Sequence, residues 1–284
     1  MDALTEFFAP ETIDEAVAIL GRKGSAACVL AGGTDVMVRI RRGQLPATCT
    51  TLVSLHRMCG IHDCQRDKGE FVVGAATTAA DLIRDPVVAQ HAPILARVAD
   101  RLASAQVRNL ATVGGNVANA SPAGDLINPL LLLDARLVLA SADGRRAVPI
   151  DEFFRGPGET VMRPDELLVE ARFDIPPPAR VFRFEKAGTR PAMECSVVTV
   201  GLACTPRNGL LTDVRVAFGS SAPIPLRGRK TEAILEGQSL TPELAERAAV
   251  AAETEVSPIS DVRGSDCYRR TLARVFLKRL LTHD

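Results

Sequence analysis

The chain has no tryptophan and a single tyrosine, Tyr268, so ten phenylalanines supply nearly all the aromatic surface of its 284 residues. It also has no charge bias, since 34 Lys and Arg balance 34 Asp and Glu. Without a basic field to hold a polyphosphate backbone, or rings on which bases stack, a dedicated nucleic-acid binder is excluded. No apolar run approaches the roughly 20 residues needed to cross a bilayer. Asp2 and Glu6 stand where a secretory signal would be basic, so the expectation is a cytoplasmic protein without a membrane span. The seven cysteines are odd in number and scattered, which favours reduced thiols over a disulfide framework. With 46% apolar and 24% charged residues the chain reads as an ordinary globular protein, long enough for two domains.

Three cysteines and two histidines (Cys49, His56, Cys59, His62, Cys64) fall within sixteen residues. Soft ligands this dense could hold zinc or an iron–sulfur centre. The spacing is not the paired C-x2-C of a zinc ribbon, and the surrounding text reads as a strand over 51–55, a turn at Gly60 and a strand from Ile61. In that arrangement His62 and Cys64 share one strand face while Cys49 and Cys59 lie on other elements, so convergence on a metal would be fortuitous.

Along the chain, Thr12-Ile13-Asp14-Glu15 is a capping box that opens a helix for Gly21 to end. The apolar run 26–31 reads as a buried strand stopping at Gly32-Gly33, after which Thr34-Asp35 can cap a short helix ending near Gly43. Strands follow at 52–55 and 70–75, then a second capping box at Thr78-Asp81 and a helix over 93–105. Residues 106–126 are small and polar, with too little bulk for a core, and read as a backbone-rich surface. A helix over 129–134, a strand over 137–140, a turn at Asp143-Gly144 and a strand over 167–173 lead to Pro176-Pro177-Pro178. That stiff triplet cannot join a sheet interior and is the best domain boundary in the chain. Beyond it come strands at 181–186, 196–204 and 211–219, the last two joined by Asn208-Gly209, and helices at 231–235, 241–253 and 266–281. The last helix is basic at Arg269, Arg270, Arg274, Lys278 and Arg279, with Leu272, Val275, Phe276 and Leu280 inward. Its charged face is either a docking surface or a solvated one.

Two glycine pairs stand out, Ala31-Gly32-Gly33-Thr34-Asp35 and Thr112-Val113-Gly114-Gly115-Asn116, each after an apolar β-like run. Paired glycines let consecutive N–H groups turn inward as an anion nest, and Thr34 and Thr112 add hydroxyls suited to phosphate oxygens. One such pair is usually only a tight turn. Two of them point to a pyrophosphate gripped from both sides. The chain contains neither G-x-G-x-x-G nor G-x-x-x-x-G-K-[ST], so a dinucleotide held in some other fold is the economical hypothesis.

The residues Val29-Leu30-Ala31-Gly32-Gly33-Thr34-Asp35, then Gln106 through Asn116, then Ser121-Pro122 and Asp125 ahead of Pro129-Leu130, resemble the FAD-binding subunit of the molybdenum hydroxylases. That family includes carbon monoxide dehydrogenase medium subunits and the flavin subunits of xanthine and nicotinate dehydrogenases. The second motif, with Ser-Pro and Asp at fixed distances, is the specific one. The resemblance spans nearly the whole chain, through Phe8 and Pro10–Ala16 at one end and Lys186 and 219–227 towards the other. It implies an α+β fold: a two-lobed FAD-binding domain of the vanillyl-alcohol-oxidase (PCMH) type over 1–175, with lobes of about 1–56 and 57–175. A C-terminal domain over 179–284 would follow, built of a three-stranded antiparallel sheet and a helical bundle.

By the same resemblance Cys28, Val29, Leu30, Ala31, Gly32, Gly33, Thr34 and Asp35 form the first phosphate loop, and Thr112, Val113, Gly114, Gly115 and Asn116 the second. Ser121 follows, Asp125 lies near the ribityl or diphosphate, Leu168 near the ring system, and Lys186 beside the flavin. Leu102 stands where several relatives place an aromatic over the adenine. Read from the residues alone, Asp125 could equally cap a helix over 126–134, Leu168 could be core, and Lys186 a solvated strand lysine. No catalytic or metal-binding residue is assigned. The chain has no C-x4-C-x2-C framework and no room for a molybdenum-cofactor domain, so a molybdopterin-containing large subunit and a two-cluster iron–sulfur small subunit are implied as partners. Electrons would pass from the iron–sulfur subunit through FAD to an acceptor. Alternatives are a stand-alone flavin oxidoreductase, for which His56, His62, His91 and His283 show no carboxylate partner, and a nucleotide-binding scaffold without a redox role.

Overall fold

The computed structural model describes residues 4–190 and 194–282; Asp2 and His283, weighed above, lie outside them. Five elements form the first unit: β1 (Glu6–Phe8), α1 (Ile13–Lys23), β2 (Ala27–Leu30), α2 (Val36–Arg41) and β3 (Thr51–Ser54). The strands are parallel in the order β1-β3-β2, so the chain leaves β2 and β3 at the same end of the sheet. Thr12 caps α1 by accepting from Glu15 N, whereas the Glu15 carboxylate reaches Glu11 N, so the expected capping box is only half formed. Gly21 does not end α1. The helix runs on to Lys23, and Gly24, with φ of 51°, makes the left-handed exit that an L residue resists.

The second unit is larger. It comprises β4 (Cys64–Asp67), β5 (Glu70–Gly74), α3 (Ala79–Arg84), α4 (Pro86–His91), α5 (Pro93–Asp100), α6 (Ala105–Arg108), α7 (Val113–Ala118) and α8 (Ile127–Leu132). After these come β6 (Arg136–Ser141), β7 (Gly144–Pro149), the β8–β9 hairpin (Phe154–Gly156, Glu159–Thr160) and β10 (Leu167–Asp174). Five of its strands make an antiparallel sheet ordered β4-β5-β10-β6-β7. The Thr78-Asp81 capping box is complete. The strand expected from Ile61 begins three residues later, because Ile61 is buried and its carbonyl takes the Ala76 N–H outside the ladder. The expected helix over 93–105 stops at Asp100. There the chain swings Leu102 into the core, Arg108 takes up the Leu102 and Ala103 carbonyls, and Ser104 caps α6.

The surface reading of 106–126 is overturned, since Val113, Val117, Ala120 and Leu126 are buried in the main apolar core. Small side chains here shorten the distance between packed backbones instead of facing water: a Cβ on Gly114 would lie 2.6 Å from Ala75 Cβ.

The third unit holds β11 (Val181–Ala187), β12 (Val198–Arg207), β13 (Leu210–Gly219), β14 (Leu226–Arg227), α9 (Arg229–Leu235), α10 (Pro242–Glu255) and α11 (Asp266–Thr282). The short β14 adds a fourth strand to the expected three. Asn208 and Gly209, with φ of 51° and 78°, turn β12 into β13. One face of this sheet packs on α10 and α11, and the other receives α8. Asn128 Nδ2 donates to Ala217 O at 3.0 Å, and Asp134 bridges Arg227 and Arg215. Burial pushes the Asp134 carboxyl up, but the two guanidiniums outweigh it and hold it below the ordinary carboxylate range. The basic residues of α11 are partly occupied inside the molecule. Arg269 donates to Val197 O and Ser220 O and Arg274 and Lys278 pair with Glu246 on α10, whereas Lys278 and Arg279 stay exposed, so part of this charge is internal and part is a solvated face. Val275, expected inward, is 40% exposed.

Candidate functional site

Where β2 and β3 end together, the loop Ala31–Asp35 faces α7 across a cavity of about 290 Å³. Of the residues singled out from the sequence, Cys28, Val29, Ala31, Gly32, Gly33, Thr34 and Asp35 line one side. Thr112, Gly114, Gly115 and Asn116 line the other, and Leu168 closes one end with Leu167 and Met162. Leu30, Leu102, Val113, Ser121, Asp125 and Lys186 lie outside the cavity wall. Leu30 underlies Gly33, and Leu102 and Val113 are core. Ser121 caps a turn by accepting from Ala123 N.

The two glycine pairs do different things. The first is an open nest: Gly33 has φ of 72°, and the N–H groups of Gly32, Gly33, Thr34 and Asp35 donate to no group among the described residues. Four neighbouring donors with no acceptor are what an anion's oxygens require. The second pair does not follow a strand. Thr112 is the N-cap of α7, and Gly114 and Gly115 form its first turn. Their donors are taken, Val113 N by Thr77 O at 2.9 Å, Gly114 N by Ala75 O at 2.7 Å, and Gly115 N by Thr112 Oγ1 at 3.0 Å. The expected two-sided grip by paired nests is therefore corrected: the donors are on one side, and the second pair contributes clearance and the positive end of a helix. The two sides touch at one point, where a Cβ on Gly32 would overlap the Leu110 carbonyl.

Asp125 and Lys186 make a buried ion pair at 2.7 Å, with side chains 7% and 3% exposed, and neither caps a helix nor meets solvent. Lys186 Nζ also donates to Arg101 O at 2.9 Å, and Ser196 Oγ donates to the second Asp125 oxygen at 2.5 Å. The pair is tied to the cavity through Asn116, whose Oδ1 accepts from Leu126 N at 3.1 Å. Cys28 is pushed up to about 11 by burial, reinforced by the neighbouring Cys49 thiol, which keeps it neutral in the cavity wall. Among the described residues no three of His, Cys, Asp and Glu come together as metal ligands, and the 49–64 cluster is dispersed, with Cys49 buried and Cys59 exposed.

Several wall residues carried no mark in the sequence. Arg39 and Val36 reach the cavity because they lie on the inner face of α2, one turn apart. Ala75, Leu55 and Asn119 arrive through strand ends and the last turn of α7. A Gly-Gly-Thr-Asp turn followed by a helix could have flagged Arg39 at i+4 from Asp35; nothing local could have flagged Met162.

Comparison with known proteins adds independent findings. Residues 3–178 match the family described as the FAD binding domain in molybdopterin dehydrogenase, and residues 183–283 match the CO dehydrogenase flavoprotein C-terminal domain. The chain is 32% identical over 280 residues to the carbon monoxide dehydrogenase medium chain of Hydrogenophaga pseudoflava, covering 97% of this chain and 95% of that one. It is 31% identical over 273 residues to the xanthine dehydrogenase FAD-binding subunit of Escherichia coli O157:H7, covering 95% and 92%. Among solved structures, a carbon monoxide dehydrogenase of Hydrogenophaga pseudoflava superimposes with a TM-score of 0.93 at 32% identity, covering 98% of this chain and 96% of that one. Quinoline 2-oxidoreductase of Pseudomonas putida superimposes with a TM-score of 0.90 at 26% identity, covering 98% and 95%.

Proposed function

This chain belongs to the family of FAD-binding subunits of the molybdopterin dehydrogenases, and on that premise we propose that it relays electrons through FAD bound between the 31–35 loop and α7. The observation that carries the assignment of the site is the open nest. Four unpaired N–H groups around Gly33 fit a diphosphate, and the helix end opposite favours the same negative charge. Glycine is needed at both positions for the nest to form, since a Cβ at 32 would overlap the Leu110 carbonyl and φ of 72° at 33 is the left-handed region. Aliphatic walls at Val29, Leu55, Leu167 and Leu168 suit the uncharged parts of the ligand, in keeping with the shortage of aromatic residues. The cavity is at the lower end of ligand-site volumes, so it receives the diphosphate and its neighbours while the remaining dinucleotide extends past Asn116 towards Asp125 and Lys186. Leu30, Leu102, Val113 and Ser121 support that path from behind.

When bound, FAD supplies a carrier that takes electrons singly or in pairs and passes them on. The protein binds, orients and shields it. Lys186 donates to Asp125, itself bonded by Ser196, and to the Arg101 carbonyl, so its amino group is fixed in position. The cavity wall contains no histidine and no carboxylate except Asp35, which leaves a substrate-oxidising base unprovided and disfavours a stand-alone oxidase. Substrate chemistry then belongs to a molybdopterin-containing large subunit, and the electrons reach FAD through a two-cluster iron–sulfur small subunit. We divide the chain into an FAD-binding domain over 1–175, with lobes of about 1–56 and 57–175, and a C-terminal domain over 179–284, and place it in the cytoplasm.

The test is flavin content. Purified chain is expected to release one FAD on acid denaturation and to bind FAD far more tightly than ATP by titration calorimetry. Equal affinity for the two, or no bound flavin after reconstitution, would reject the site.

A further inference from the structure

The helix that forms one wall of the cavity turns a second face outward that none of the described residues buries. No residue of α2 is buried. Val36, Arg39 and Ile40, three and four residues apart, share the inner face, and Val36 and Arg39 line the cavity. The opposite face presents Met37 and Val38, 38% and 40% exposed, each followed four residues later by an arginine, Arg41 and Arg42. Leu110, 57% exposed, lies nearby, its carbonyl abutting Gly32 in the loop that leads into α2.

The charge here departs from the rest of the molecule. Residues 36–62 contain Arg39, Arg41, Arg42 and Arg57 and not one Asp or Glu, although the whole chain is neutral. Some arginines elsewhere are spent on internal partners, as at Arg172, Arg227 and Arg274. Arg41 and Arg42 make no hydrogen bond or ion pair among the described residues. Methionine and arginine side by side, exposed and unpaired, are the composition of an interface core that awaits an acidic partner.

We propose that the outward face of α2, formed by Met37, Val38, Arg41 and Arg42, docks the iron–sulfur subunit that delivers electrons to the cavity behind it. The inference rests on the functional reading above. Charge complementarity selects this occupant, because the thiolates and sulfides of an iron–sulfur cluster outweigh its iron charge and leave it net negative. Position selects it as well: a partner seated on α2 stands within one helix diameter, about 10 Å, of the cavity wall.

The experiment compares the wild-type complex with Arg41→Glu/Arg42→Glu and with Val38→Ser, at about 50 mM and about 300 mM NaCl. It reads FAD occupancy, association with the iron–sulfur subunit and the rate of flavin reduction in the assembled complex. The charge reversal is expected to slow association and weaken it about tenfold or more at low salt, with the gap narrowing at high salt. Val38→Ser is expected to weaken it at both, and FAD occupancy to stay at the wild-type level in both variants. Wild-type association by a flavin-loaded double variant overturns the docking proposal and leaves the FAD assignment standing; a flavin-free wild-type chain overturns both. Loss of binding to phosphatidylserine vesicles, or of self-association, with subunit assembly intact, assigns the face to a membrane or a second copy and overturns it too.

Discussion

Replacing Lys186 by Met removes one charge of the most completely buried ion pair beside the site and leaves the shape of the side chain nearly unchanged. Asp125 then keeps a single hydroxyl donor, Ser196, for a carboxylate only 7% exposed, and the Arg101 carbonyl loses its donor as well. An uncompensated buried charge costs about 3–5 kcal/mol. A domain of this size loses roughly 2 °C of melting temperature per kcal/mol, so Lys186→Met is expected to melt about 6–10 °C lower. Removing both charges, in Lys186→Met/Asp125→Leu, takes away the stranded carboxylate and is expected to recover most of that loss. Thermal unfolding of the two single variants and the double variant, each with FAD content measured alongside, gives the coupling energy. A coupling below about 0.5 kcal/mol, or a single variant melting with the wild type, would show that the pair is solvated and would refute its role as a fixed charge.

The open nest predicts that Gly33→Val forfeits FAD retention, because φ of 72° is strained for a β-branched residue and the new Cβ would lie 3.2 Å from Met37 Cγ; full flavin occupancy would contradict the one-sided nest. At the helix opposite, Thr112→Ala removes the acceptor of Gly115 N and is expected to cost about 1 kcal/mol, with Thr112→Ser restoring it; equal melting of all three proteins would deny the cap. The thiols predict an alkaline weakness. Burial raises Cys28 to about 11 and Cys64 to about 12, so their contribution is complete below the unfolded pKa and falls as pH rises above about 9, where the unfolded chain sheds the protons first. Unfolding free energies from urea titrations should drop between pH 8 and pH 10.5, by up to about 1.4 kcal/mol per pH unit for each thiol, and Cys28→Ala should flatten the drop; an unchanged slope would count against burial as the cause.

The elements were largely legible in the sequence because they rest on local signals. Capping at Thr12 and Thr78, apolar alternation in the strands and the Asn208-Gly209 turn all act within a few residues, and each appears near its expected place. The errors cluster where a distant packing partner decides. Small residues over 106–126 look like surface until Ala75 is brought against Gly114. The basic stripe of α11 looks free until Glu246 and Glu253 on α10 face it.

The site divides along the same line. By itself the sequence determined that two glycine pairs exist, that no Rossmann or P-loop fingerprint replaces them, and that aliphatic side chains must do the work of scarce aromatics. Only the tertiary structure decided which pair has donors to offer. Val113 N and Gly114 N are consumed by Thr77 O and Ala75 O, carbonyls more than thirty residues earlier, while the donors of 32–35 meet no acceptor among the described residues. It also decided that Lys186 faces Asp125, 61 residues away, and that Arg41 and Arg42 pair with no carboxylate among the described residues. Secondary structure follows from neighbours along the chain, whereas the supply of free donors and unpaired charge is what remains after every distant partner has been brought into contact.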